Sequence, residues 1–104
     1  MNVQDNIKKL IADNEVILFM KGNKQIPQCG FSAQAVFSLM ENNVDFTTVN
    51  VLEKPEIRQE LPLISNWPTF PQLFVKGELI GGSDIIIEEF KSGNIQKMLN
   101  KEIK

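Results

Sequence analysis

The sequence predicts an α/β fold, a sheet flanked by helices, and three observations carry that expectation. Val16-Ile17-Leu18-Phe19-Met20 is a continuous apolar run rich in strand formers and ended by Lys21-Gly22, as in a central strand covered on both faces. The segments on either side of it repeat their apolar residues at helical rather than alternating spacing. Further on, Gln72 to Val75 and Glu78 to Ile80 flank Lys76-Gly77 like the arms of a hairpin.

Taken in order, Val3, Ile7, Leu10 and Ile11 share one face of a first helix near residues 3–13, and Asn2 with Asp5 three places later gives it a polar, capping start. After the central strand, residues 22–28 hold glycine, proline and polar side chains and read as a loop leading to Cys29. Ala33, Val36, Phe37 and Met40 then recur with helical spacing until Asn42-Asn43 supplies a stop, so Cys29 immediately precedes a helix. Phe46 to Val51 alternates as a second strand, and Pro55 suits the first turn of a short helix. Two prolines bracket Asn66-Trp67-Pro68-Thr69-Phe70-Pro71 and forbid regular helix there. Gly81-Gly82-Ser83-Asp84 leads into Ile85, Ile86, Ile87 and Phe90, and Gly93 separates these from Ile95, Met98 and Leu99, giving two closing helices. No repeat or linker interrupts this order, and 104 residues suit one domain, residues 1–104, able to bury a core without disulfides.

Composition removes several function classes. A formal charge of -2 leaves no basic footprint, which argues against nucleic acid and anionic membrane surfaces as partners. The longest apolar runs are far too short to cross a bilayer. With no histidine, the chain has no Ser/His/Asp or Cys/His dyad and no zinc site of the usual mixed type. A single cysteine excludes an internal disulfide and fits a reducing compartment. Covalent or metal chemistry therefore starts at Cys29.

At the junction of a loop and a helix N-terminus, unpaired N–H groups and the helix dipole favour a thiolate. Such positions lower a cysteine pKa from about 8.5 to somewhere within about 3.5–7.5. The alternative is a buried, inert cysteine, against which stand the flanking Gln28, Gly30 and Ser32. Lys21 reads either as a solvated strand end or as a positive charge beside the sulfur. Arg58 reads either as a surface charge or as a carboxylate clamp. Gly81-Gly82-Ser83-Asp84 reads either as an ordinary capped turn or as a cradle of backbone donors with a capping side chain. By base rate Phe70-Pro71 is trans.

Together, Lys21-Gly22, Cys29-Gly30-Phe31-Ser32, Trp67-Pro68-Thr69-Phe70-Pro71 and Gly81-Gly82 followed by Asp84 resemble the CGFS-type monothiol glutaredoxins over practically the whole chain. The resemblance implies a thioredoxin-like fold, a mixed four-stranded sheet in the order 4-3-1-2 with helices on both faces. It implies that Pro71 is cis and faces the active cysteine, with the Phe70 backbone pairing with extended glutathione. It assigns Lys21 and Arg58 to the glutathione carboxylate, and Ser83 and Asp84 to the γ-glutamyl end. Leu63 departs from the family, standing where many relatives carry a lysine on the edge of the groove. Ser83 stands where some relatives have a second cysteine, so the chain is strictly monothiol.

Ser32 replaces the resolving cysteine of dithiol relatives, so a mixed disulfide at Cys29 needs another thiol, normally glutathione, to resolve it. The resemblance further implies one [2Fe-2S] cluster between two protomers of a homodimer, ligated by two Cys29 sulfurs and two glutathione sulfurs, the four thiolates such a cluster takes. A carrier delivering clusters to iron–sulfur acceptor proteins is the first expectation. A glutathione-dependent oxidoreductase and an iron-status adaptor pairing with a BolA-like protein, through an exposed edge at Phe31 and Trp67, are the alternatives. Bacterial cytoplasm and, behind a removed transit peptide, mitochondrial matrix both meet the reducing requirement. The compact start at Met1 favours the cytoplasm.

Overall fold

The computed structural model describes residues 2–100. Its elements run α1 (Val3–Asp13), β1 (Val16–Met20), α2 (Gly30–Glu41), β2 (Thr47–Asn50), α3 (Pro55–Ser65), β3 (Gln72–Val75), β4 (Glu78–Gly81), α4 (Ser83–Lys91) and α5 (Asn94–Met98). The four strands form one mixed sheet in the order β2-β1-β3-β4. Strand β1 pairs parallel with β2, Ile17 opposite Thr47, and antiparallel with β3, Leu18 opposite Leu73. This is the 4-3-1-2 sheet and thioredoxin-like fold expected above.

The alternation of side chains along β1 divides the core in two. Val16, Leu18 and Met20 face α2, α4 and α5, packing with Ala35, Leu39, Ile86 and Ile95. Ile17 and Phe19 face α1 and α3, packing with Ile7, Ile11, Ile57 and Leu61. All five β1 residues are buried, which is why this strand is apolar throughout and the outer strands are not. Each fully buried residue of this size contributes about 1.5–3 kcal/mol relative to exposure, so the two clusters fix the sheet that positions everything at its end. Phe74 meets Phe19 edge-on at 5.8 Å between centroids and ties β3 to β1.

Asn2 caps α1 as expected, its Oδ1 accepting from the Asp5 N–H at 2.8 Å. The hairpin turn places Lys76 and Gly77 at φ 50° and 82°, the doubly left-handed geometry that two-residue hairpins use. Strand β2 is shorter than the sequence predicts, because Val51 turns out of the strand direction while its N–H still bonds the Met20 carbonyl at 2.9 Å. The helix after Pro55 is not short. It runs 11 residues straight through Pro62, held by buried Ile57 and Leu61 although Pro62 has no N–H to give the carbonyl of Arg58. No helix among the described residues is long and apolar enough to cross a membrane.

Candidate functional site

Where β1 ends, a cavity of about 770 Å³ opens, a usual size for a small-molecule site. It is lined by Lys21, Cys29, Arg58, Phe70, Pro71, Ser83 and Asp84, every site residue singled out in the sequence, together with Phe31, Trp67 and their neighbours. Four parts of the chain supply these walls: the loop after β1, the start of α2, the middle of α3, and the segments flanking the hairpin.

The loop after β1 is closed on itself. The Gln28 N–H bonds the Lys21 carbonyl at 2.9 Å, and Asn23 Oδ1 accepts from the N–H groups of Gln25 and Ile26. Gly22 lies at φ 91°, and a Cβ there would sit 2.5 Å from both the Gln28 nitrogen and the Ile26 oxygen, so only glycine fits. Asn50, at the end of β2, accepts from the Gly22 and Leu52 N–H groups and anchors this loop to the sheet. The ammonium of Lys24 donates to the Phe46 carbonyl at 2.6 Å from above the Phe46 ring.

Cys29 is half-buried and is the N-cap residue of α2. As a thiol its sulfur is a poor acceptor and leaves the first-turn N–H groups unclaimed; as a thiolate it is held by them. Its pKa is lowered from 9.0, first by the Ser32 backbone N–H, then by the Phe31 N–H, the Lys21 charge and the Ser32 hydroxyl, against an opposing rise from desolvation. Ser32 is more than a substituted resolving residue. It is fully buried, and its hydroxyl oxygen accepts from the Lys21 N–H at 3.1 Å, linking the end of β1 to the helix that holds the sulfur.

Across the cavity the Phe70–Pro71 peptide is cis, as the family pattern implies and against the base rate. Gln72, by sequence simply the first residue of a strand, is fully buried and donates through Nε2 to the carbonyls of Trp67 at 2.8 Å and Thr69 at 3.1 Å. The signal for it was a polar residue opening an otherwise apolar strand beside Pro71. Trp67 is only half-exposed, with its Nε1 buried, so the exposed edge expected from Phe31 and Trp67 reduces to Phe31, which is 59% exposed.

The Gly81–Asp84 segment also differs in detail from expectation. Gly82 takes the extended backbone of the N-cap position, so Ser83 is already helical and, among the described residues, no side chain caps the start of α4. The first-turn N–H groups of α4 therefore lack the internal acceptor that a capping side chain would give, at the edge of the same cavity. Ser83 is buried and Asp84 exposed. Arg58 reaches the cavity from α3. Among the described residues Lys21, Arg58 and Asp84 make no ion pair, so their charges are unspent. Leu63, at 72% exposure, does not line the cavity. No group of three or more His, Cys, Asp or Glu side chains among the described residues could hold a metal ion, and Cys29 is the single thiol of the chain.

A lone, activated thiol at a helix N-terminus, sharing a cavity with a cis-proline that leads into a strand of a β2-β1-β3-β4 sheet, defines a thiol protein of the thioredoxin-like fold. A sequence profile described as glutaredoxin matches residues 16–80. Glutaredoxin 4 of Pasteurella multocida (strain Pm70) is 52% identical over 99 residues, 95% of this chain and 91% of that protein. The solution structure of reduced poplar apo GrxS14 superposes with a TM-score of 0.80 at 45% identity, covering 94% of this chain and 90% of that one. Buckwheat glutaredoxin, solved as a glutathione complex, shares the fold at a TM-score of 0.81 and 21% identity over 92% of this chain and 86% of that one. The chain belongs to the glutaredoxin family, in its monothiol, CGFS-type branch.

Proposed function

We propose that the chain binds glutathione in this cavity and, as a pair of chains, carries a [2Fe-2S] cluster and transfers it to iron–sulfur acceptor proteins. The observation that carries the reading is convergence. An activated lone thiol, two cations without ion-pair partners among the described residues and the start of α4, where the N-cap residue Gly82 gives no side-chain cap, all border one cavity of suitable size. Lys21 and Arg58 take the glycyl carboxylate of the tripeptide, the backbone at Phe70 pairs with its extended chain beside cis-Pro71, and Ser83 with Asp84 takes the charged γ-glutamyl end. The glutathione sulfur then lies beside Cys29. A [2Fe-2S] cluster takes four thiolate ligands. Each chain offers one, so two chains and two glutathione molecules complete the set. Half the ligands are then exchangeable, which suits transfer.

The half-exposed, acidified thiol supports a second activity on the same residues. The Cys29 thiolate attacks a protein–glutathione disulfide, forming a Cys29–glutathione disulfide and releasing the protein thiolate. A second glutathione thiolate then attacks the bound glutathione sulfur, regenerating Cys29 and releasing glutathione disulfide. A BolA-like protein is a further partner on this reading, with exposed Phe31 beside Cys29 as a contact. The bacterial source of the similar glutaredoxin 4 proteins supports action in the cytoplasm.

Anaerobic reconstitution with iron, sulfide and glutathione tests the reading. Wild-type protein is expected to acquire the visible spectrum of a [2Fe-2S] cluster and pass it to an apo-acceptor, whereas Cys29→Ser remains folded and colourless, because a hydroxyl stays protonated near neutral pH. Normal cluster loading by Cys29→Ser would overturn it.

A further inference from the structure

We infer that Gln72 is a positioning residue of the glutathione groove: its buried amide sets the path of the Trp67–Pro71 segment and thereby the backbone edge on which the tripeptide docks. The inference rests on the reading that glutathione occupies the cavity.

Gln72 opens β3, whose other residues, Leu73, Phe74 and Val75, are apolar and buried. An amide at such a position is costly unless its polar atoms find partners. Its Nε2 finds two, the carbonyls of Trp67 and Thr69. Its Oε1 is buried with no partner among the described residues. The amide cannot flip to improve this, since the exchange would set Oε1 against two carbonyl oxygens, acceptor against acceptor. For the stability of β3 alone, an apolar side chain of similar size would avoid the orphaned oxygen. The benefit of the amide therefore lies in what its two donors hold.

They hold a segment with little means of holding itself. Pro68 and Pro71 contribute no N–H, and among the described residues no backbone–backbone hydrogen bond ties residues 67–71 in place. Gln72 provides the missing reference point, drawing the carbonyls of Trp67 and Thr69 toward the buried base of β3. The same five residues form one wall of the cavity that contains Cys29. Cys29 itself is tuned from the other side, by the start of α2 and by Lys21. Positioning of the ligand and activation of the thiol are thus separable.

Gln72→Met keeps the length and volume of the side chain and removes both donors together with the orphaned acceptor. The probe is S-methylglutathione, which cannot form a disulfide, titrated calorimetrically into apo-protein. The expected result is affinity weaker by about tenfold, the cost of ordering on binding a segment that the two hydrogen bonds otherwise hold in place beforehand, with cooperative urea unfolding retained and Cys29 titrating as in wild type. Equal affinity in wild type and variant overturns the inference and leaves the groove assignment standing. No binding by wild type overturns both. NMR of wild-type protein gives the same decision without a substitution: the Gln72 side-chain NH₂ protons are expected to exchange slowly with solvent and to shift on addition of S-methylglutathione, and rapid exchange overturns the inference.

Discussion

Replacing Ser32 by alanine separates two roles that the structure gives one residue. The hydroxyl accepts from the Lys21 N–H at 3.1 Å, and the residue is fully buried. Its removal leaves that part-buried N–H without its partner, which costs about 1–3 kcal/mol. At a slope of about 2 kcal/mol per M urea, the unfolding midpoint falls by roughly 0.5–1.5 M. The thiol responds differently. The largest influence lowering the Cys29 pKa is the Ser32 backbone N–H, which alanine retains, whereas the hydroxyl is the smallest. Its loss raises the pKa slightly and leaves it below 9.0. Urea unfolding followed by the fluorescence of Trp67, the only tryptophan, gives the first quantity, and the pH profile of Cys29 alkylation by iodoacetamide gives the second. An unfolding midpoint unchanged within about 0.2 M, or a thiol titrating at 9.0, would refute the reasoning.

Further outcomes follow from the same geometry. Gly22→Ala forces a Cβ to within 2.5 Å of two backbone atoms at φ 91°; backbone strain and a lost Gln28–Lys21 hydrogen bond together cost about 2–4 kcal/mol, measurable by urea unfolding. Lys21→Met removes a positive charge that lowers the Cys29 pKa, so the alkylation midpoint moves up, and the difference from wild type shrinks at high salt. Because the folded thiol titrates below its ordinary value, its contribution to stability is complete above about 9.0 and lost as the pH falls through the folded pKa. The stability of wild type relative to Cys29→Ser therefore rises with pH across that window, and paired unfolding curves read it.

The fold was legible because its strongest signals are local and repeat the burial they produce. The unbroken run Val16–Met20 specified a strand buried on both faces, and helical spacing marked α1 and α2 to within a residue or two. The extent of α3 was not legible, since Pro62 reads as a helix breaker and only tertiary burial of Ile57 and Leu61 carries the helix through it. At the site, chemistry-bearing side chains could be named in advance, but their convergence depends on the order in which the strands pair. The supporting residues were harder to see. Ser32, Asn50 and Gln72 are polar side chains whose work is to hold backbone groups of other segments, and of the three only Gln72, a polar residue opening an apolar strand, differs in its local setting from an ordinary surface residue. The start of α4 is hard to place for a related reason: Ser83 is a favoured N-cap residue, but Gly82 takes that place one position earlier.

The central claim is that one thiolate per chain, completed by glutathione held in the Cys29 cavity, binds the cluster. Native mass spectrometry of anaerobically reconstituted protein tests it most directly. The expected complex contains two chains, one [2Fe-2S] unit and two glutathione molecules, and it is absent when glutathione is omitted or Cys29 is replaced by serine. A cluster-bearing protein of the same yield assembled without glutathione would contradict the claim.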